Sequence, residues 1–184
     1  MPSVFKYNGN EIIDSSGIVT STSLPSTVRD RTEWYPLRSI DSNSYVNNTH
    51  ITSNMDAGSA WTNGVAPKGF TSIQEMKAWF ISTSASSPGQ YYITFSWDIA
   101  GNGEARDQHQ KSVVGTSSTA ANGKLGGTDF GTAKIRYIDV FNAADDGTDF
   151  EDIIAEGDHF GIKIAMNNTS AAVYGTGLEI TWRF

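Results

Sequence analysis

Residues 145–158, DDGTDFEDIIAEGD, hold seven acids and neither Lys nor Arg. Asp145, Asp146, Asp149, Glu151 and Asp152 supply hard oxygen donors of the kind that Ca²⁺ takes. Their spacing departs from the EF-hand pattern, so two expectations stand side by side: a calcium loop, or a solvated acidic connection. The three histidines, His50, His109 and His159, fall in neither an HExxH nor an HxH arrangement. They predict no metal site. GNGEAR, beginning at Gly101, starts like a nucleotide loop but lacks the third Gly and a βαβ setting. In GKL, beginning at Gly123, a Leu stands where a phosphate-binding loop needs Ser or Thr. The chain has no Cys, which removes thiol nucleophiles, thiolate metal sites and disulfides. No catalytic constellation and no cofactor are expected.

Binding chemistry has more to work with. Trp34, Trp61, Trp79, Trp97 and Trp182 all lie in strand-like stretches. Most are expected in the core. A sugar-binding sandwich would instead expose two or three aromatics beside Asn, Gln and Asp. Trp79 is the candidate ligand contact, because it shares its parity with Glu75 and Lys77. The sequons at Asn47, Asn167 and Asn168 are ordinary in so Asn- and Thr-rich a chain.

The elements that must position these groups are strands. In Gln90–Ala100, QYYITFSWDIA, Tyr91, Ile93, Phe95, Trp97 and Ile99 fall on one parity, and Tyr92, Thr94, Ser96 and Asp98 on the other. Successive side chains on a strand point to opposite faces, so this is a central strand with one apolar face. DHFGIKIAM alternates at Phe160, Ile162, Ile164 and Met166, and LEITWRF at Leu178, Ile180, Trp182 and Phe184. AKIRYIDVF sets Ile135, Tyr137 and Phe141 against Ile138 and Val140, so cover on both faces is expected. Residues 71–82 fit a helix or a strand, and strand is the reading taken, with an SSPG turn making a hairpin into the central strand. RTEWYPLRSID carries a Pro at an edge or bulge. Tyr45, Val46 and Ile51 suggest one short strand. Asn63-Gly64 reads as a turn or break, residues 104–114 as either an edge strand or a strand lining something solvated, and residues 115–131 as a loop too polar to pack. The core is expected to hold Tyr91, Ile93, Phe95, Trp97, Phe160, Ile162, Ile164, Leu178, Ile180 and Trp182. Eight or nine strands and no strong helix predict an all-β antiparallel sandwich of jelly-roll type.

The domain plan is an N-terminal arm over residues 1–30 and one sandwich over 31–184. The arm is either a flexible leader with an edge strand or a segment that packs on a neighbouring subunit. The formal charge of −7 is concentrated in the acidic run, since the remaining 13 acids balance 13 bases. No basic stripe suggests nucleic acid. No apolar run approaches the length of a membrane span, and the start lacks the order of a signal peptide.

IIAEGDHFGIKIAMNN followed by VYGTGLEITWRF resembles the closing strands of jelly-roll proteins of bacteriophage and related virus particles. VAPKGFTSIQEMKAWFIS and YYITFSWDI resemble the middle of the same group, so the likeness covers about residues 60–184. It implies a non-enzymatic virion surface subunit, of capsid decoration, minor capsid or tail type. Such a subunit would associate with copies of itself, a trimer being favoured, and with a major capsid or other virion protein. The alternative is a carbohydrate-binding sandwich, free or carried on a virion, that takes a surface glycan. A glycan-acting enzyme would need two facing carboxylates, and the sequence offers no candidate pair.

Overall fold

The structure is a computed structural model. It describes residues 5–7, 10–13, 29–38, 44–47, 50–54, 58–82, 90–115, 125–129, 135–144, 146–166 and 173–184. The strands are β1 (Phe5–Tyr7), β2 (Asn10–Ile13), β3 (Asp30–Pro36), β4 (Ser44–Asn47), β5 (His50–Asn54), β6 (Ser59–Val65), β7 (Ser72–Ser82), β8 (Gln90–Ala100), β9 (His109–Val114), β10 (Gly126–Asp129), β11 (Ile135–Asp139), β12 (His159–Met166) and β13 (Val173–Arg183). One helical turn, α1 (Phe150–Ile153), interrupts the acidic connection.

Eight of these strands build the sandwich. One sheet runs β3-β13-β7-β11 and the other β6-β12-β8-β9. Counted along the chain, the first, eighth, third and sixth strands form one layer, and the second, seventh, fourth and fifth form the other. All pairings are antiparallel. That order is the jelly roll, two Greek keys wrapped into facing sheets. Short strands extend it. β5 and β4 continue along β13 beyond β3, and β10 shares the β8 edge with β9. β1 and β2 pair with each other in a separate two-stranded sheet. The expected arm falls mostly outside the described residues.

The core follows from alternation. Ile93, Phe95, Trp97 and Ile99 of β8 face inward with Phe160, Ile162, Ile164 and Met166 of β12. They meet Met76, Ala78 and Phe80 of β7 and Leu178, Ile180 and Trp182 of β13. Phe150 of α1 joins them, with ring centroids 6.4 Å from Trp97 and 5.4 Å from Phe160. Every expected core residue is buried except Tyr91, whose side chain lies outside the described set.

Several expectations change. Residues 72–82 are a strand, but β7 and β8 are not a hairpin, because they lie in opposite sheets. Each strand has an apolar face, and placing the two sheets face to face buries both. β11 is covered on one side only: Ile138 and Val140 are buried, whereas Ile135 and Tyr137 are 52% and 46% exposed. Asn63-Gly64 neither turns nor breaks the chain, since β6 runs through it. Gly64 is required by packing, as a Cβ there would lie 2.5 Å from Phe160 Cζ and 2.6 Å from Tyr35 Cε1. Residues 44–54 form two paired strands and not one. The polar loop contributes a strand, β10, and a buried Leu125. Ile73 shares the core side with Met76 despite its opposite parity. The β7–β13 register slips between Thr181 and Trp182, leaving Gln74 as an extra residue that resets the alternation.

Candidate binding site

The two outer faces of the sandwich differ in chemistry. Only Trp97 and Trp182 among the five tryptophans are fully buried. Trp34, Trp61 and Trp79 point outward. The expectation that most would be core therefore fails. Alternation places a residue on a face, and three of these positions fall on the solvent side of their strands.

On the β13 sheet, Trp79 pairs with Tyr137 and with Gly177. Its ring centroid lies 5.2 Å from that of Tyr137, and its Nε1 donates to Glu179 Oε2 at 3.1 Å. Trp34, 48% exposed, lies across Gly177, where a Cβ would come 2.3 Å from its Cε2. Trp34, Trp79 and Tyr137 thus form an aromatic strip, with Ile135 at one end. Lys77 runs beside it, 5.3 Å from the Tyr137 centroid and 2.7 Å from Glu75. Trp79, the contact expected from sequence, is the half-buried middle of the strip. Its neighbours carry more of the exposed area.

On the β8 sheet, the register builds a grid. Arg38 exchanges two backbone hydrogen bonds of 2.8 Å with Trp61, beyond the end of β3. Directly paired residues share a face, so the first row reads Arg38, Trp61, Lys163, Ser96, Ser112. The next row reads Asn63, Gly161, Asp98, Gln110. Ser96 and Ser112 hydroxyls lie 2.8 Å apart, and Gln110 Nε2 donates to Asp98 Oδ1 at 2.8 Å. Lys163 Nζ sits 5.8 Å from the Trp61 ring centroid. Gly161 opens the middle, and a Cβ added there meets nothing within 4 Å. Together these residues line a groove of about 750 Å³, a size typical of small-ligand sites. Sequence reading touched it only at residues 104–114, whose polar faces suggested a strand lining something solvated, and missed the rest. The available signal was the shared outward parity of Ser96 and Asp98, matched by Lys163 and Gly161 on β12.

The acidic connection is tied down by its own carboxylates. Asp146 accepts from Lys111 Nζ at 2.6 and 2.7 Å and from Thr148. These partners hold its carboxyl down at about 2. Asp149 Oδ1 accepts from the Ala144 N–H at 2.9 Å, and Asp152 Oδ2 from the Asp149 N–H at 3.0 Å. Glu151 accepts from the Asn142 N–H. Its second oxygen, Oε2, is buried without a hydrogen-bond partner. Burial, with repulsion from Asp149 and Asp152, pushes its carboxyl up to about 7. Asp145 lies outside the described residues. Among the described residues, no three His, Asp or Glu converge to hold a metal ion.

No family model matches the chain, and no curated protein does. Among solved structures, dimeric latent PorU from Porphyromonas gingivalis is similar at a TM-score of 0.40 and 12% identity, covering 84% of this chain. The chain spans 13% of the length of that protein. A likeness that faint carries no argument. The protein is a jelly-roll sandwich with an aromatic strip on one outer face and a polar groove on the other.

Proposed function

We propose that the chain is a non-enzymatic subunit of a virus particle surface, of decoration or minor capsid type, acting through contacts with copies of itself and with the particle. The jelly-roll strand order carries this reading. By analogy, viral capsid domains use that architecture. The resemblance over residues 60–184 points the same way. The exposed strip of Trp34, Trp79 and Tyr137 supplies the aromatic surface that protein interfaces favour. A full-length protein that scatters light with the mass of three chains is the expected result. Replacing Trp34 and Tyr137 by Ser should return it to one chain without lowering its melting temperature. Gold-labelled antibody against the chain should decorate intact particles. A single-chain mass together with unlabelled particles would overturn the reading.

A second reading, the carbohydrate-binding sandwich, is favoured by one observation. The β8-sheet groove places Trp61 beside Asn63, Asp98 and Gln110. An aromatic face against sugar C–H groups, with amides and a carboxylate at the hydroxyls, is the chemistry that such a module needs. Binding on a glycan array, lost in Trp61→Ala, tests it.

A further inference from the structure

The groove has a sign. Its lining holds Arg38, Lys111 and Lys163 against one carboxylate, Asp98. Lys111 is neutralised by Asp146, outside the lining. Asp98 accepts from the Gln110 amide, which leaves its negative charge in place. Arg38 and Lys163 have no carboxylate partner among the described residues. They sit in one cross-strand row, on either side of Trp61. In a chain of net charge −7, two cations flanking one partly buried indole, against the single charge of Asp98, leave the groove net positive, and positive fields concentrate anions.

We propose that this groove binds an acidic saccharide, a sugar bearing a carboxylate, with its ring on Trp61. The proposal rests on the carbohydrate-binding reading and narrows it. Arg38 receives the ligand carboxylate at one side of the ring, and Lys163 adds positive charge from the other. Arg38 offers a planar fork matched to it. Asn63, Asp98 and Gln110 form the adjoining row and take hydroxyls, the carboxylate of Asp98 as acceptor only. Gly161 supplies the space between Asn63 and Asp98. That gap covers two inter-strand spacings, roughly 9.6 Å, wide enough for a pyranose ring with its hydroxyls. A bare phosphate or a polyanionic backbone has no use for Asp98, which would repel it. A neutral sugar has no use for the paired cations. A carboxylated sugar uses both.

The test prints uronate- and sialate-bearing oligosaccharides beside neutral counterparts on an array and probes it with the labelled full-length chain. Preferential retention of the acidic set is expected. Trp61→Ala should weaken it up to about tenfold, the upper scale of losing an aromatic contact. Lys163→Gln with Arg38→Gln should abolish the preference for acid over neutral. Gly161→Val should block binding while leaving the melting temperature in place, because its Cβ enters open space. Equal retention of neutral and acidic sugars, both sensitive to Trp61→Ala, would overturn the acidic class and leave the carbohydrate reading standing. No retention of any glycan would overturn both. Acidic binding that survives Gly161→Val and Trp61→Ala would place the site elsewhere and overturn the proposal.

Discussion

Lys111 Nζ lies 2.6 and 2.7 Å from the two carboxylate oxygens of Asp146, joining the edge strand β9 to the acidic connection. The contact holds the Asp146 carboxyl at about 2, below its ordinary 3.8. A depressed carboxyl contributes stability that is present above its unfolded value and lost as pH falls towards 2. The pair is solvent-facing, so its effect is read best on the residue itself. In Lys111→Met, the Asp146 side-chain resonance should titrate higher, part of the way back to the ordinary value, because the Thr148 hydrogen bonds remain. A midpoint that stays near 2 would assign the shift to Thr148.

Glu151 has the opposite sense. Its folded carboxyl is raised from 4.5 to about 7. Between those values the unfolded chain releases the proton and the folded chain keeps it, so stability falls as pH rises through this window. Glu151→Gln removes the dependence. The variant should match the parent in urea melts at pH 4.5 and exceed it at pH 8. The gain should be on the order of 1 kcal/mol, allowing for the part of the group that meets water. A constant difference across the window would show that Glu151 is not the titrating group.

Phe95 and Trp97 are the inward aromatics of β8, at 0% and 1% exposure. Truncation of either to Ala should cost about 3–5 kcal/mol in a denaturant melt. A loss under about 1 kcal/mol would be outside the range for such a site.

Gly64 and Gly177 both lie against aromatic rings, yet their substitution should differ. At Gly64 the rings are Phe160, which is buried, and Tyr35, which packs against the core. Gly64→Ala should cost about 1–3 kcal/mol, the range for overpacking. At Gly177 the obstacle is the half-exposed Trp34, which has room to swing into solvent. Gly177→Ala should cost under about 1 kcal/mol and shift the tryptophan emission to the red. Equal losses at both sites would mean that Trp34 is held as firmly as the core rings.

The core was legible because its strands alternate between unlike faces. In β8, in β12 and in β13 from Leu178 onward, one parity is apolar and the other is mostly polar or small, and burial follows it. β11 defeated the same reasoning. Ile135 and Tyr137 oppose Ile138 and Val140, and a pattern with apolar residues on both sides does not say which side faces the core. The β7–β8 connection failed for another reason. Proximity in sequence favours a hairpin, but the partners of β7 are β11 and β13, the second about a hundred residues away, and alternation carries no information about partners. The groove stayed hidden for the same cause. Arg38, Trp61, Lys163 and Ser96 come from four separate stretches, and only the register sets them in one row. The acidic run had a plain composition signal, whereas the use of its carboxylates on local N–H groups depends on turn geometry.

The central place of β13 has a bearing on biosynthesis. β3 and β7, made early, are neighbours of β13 and not of each other. Until residues 173–183 leave the ribosome, both strands present unpaired edges, and Phe80 and Met76 lack the Leu178 and Ile180 layer beside them. Bare edges of this kind recruit other chains. The sheet therefore closes only after synthesis reaches its last described strand, and the nascent protein passes through a stage in which aggregation competes with closure.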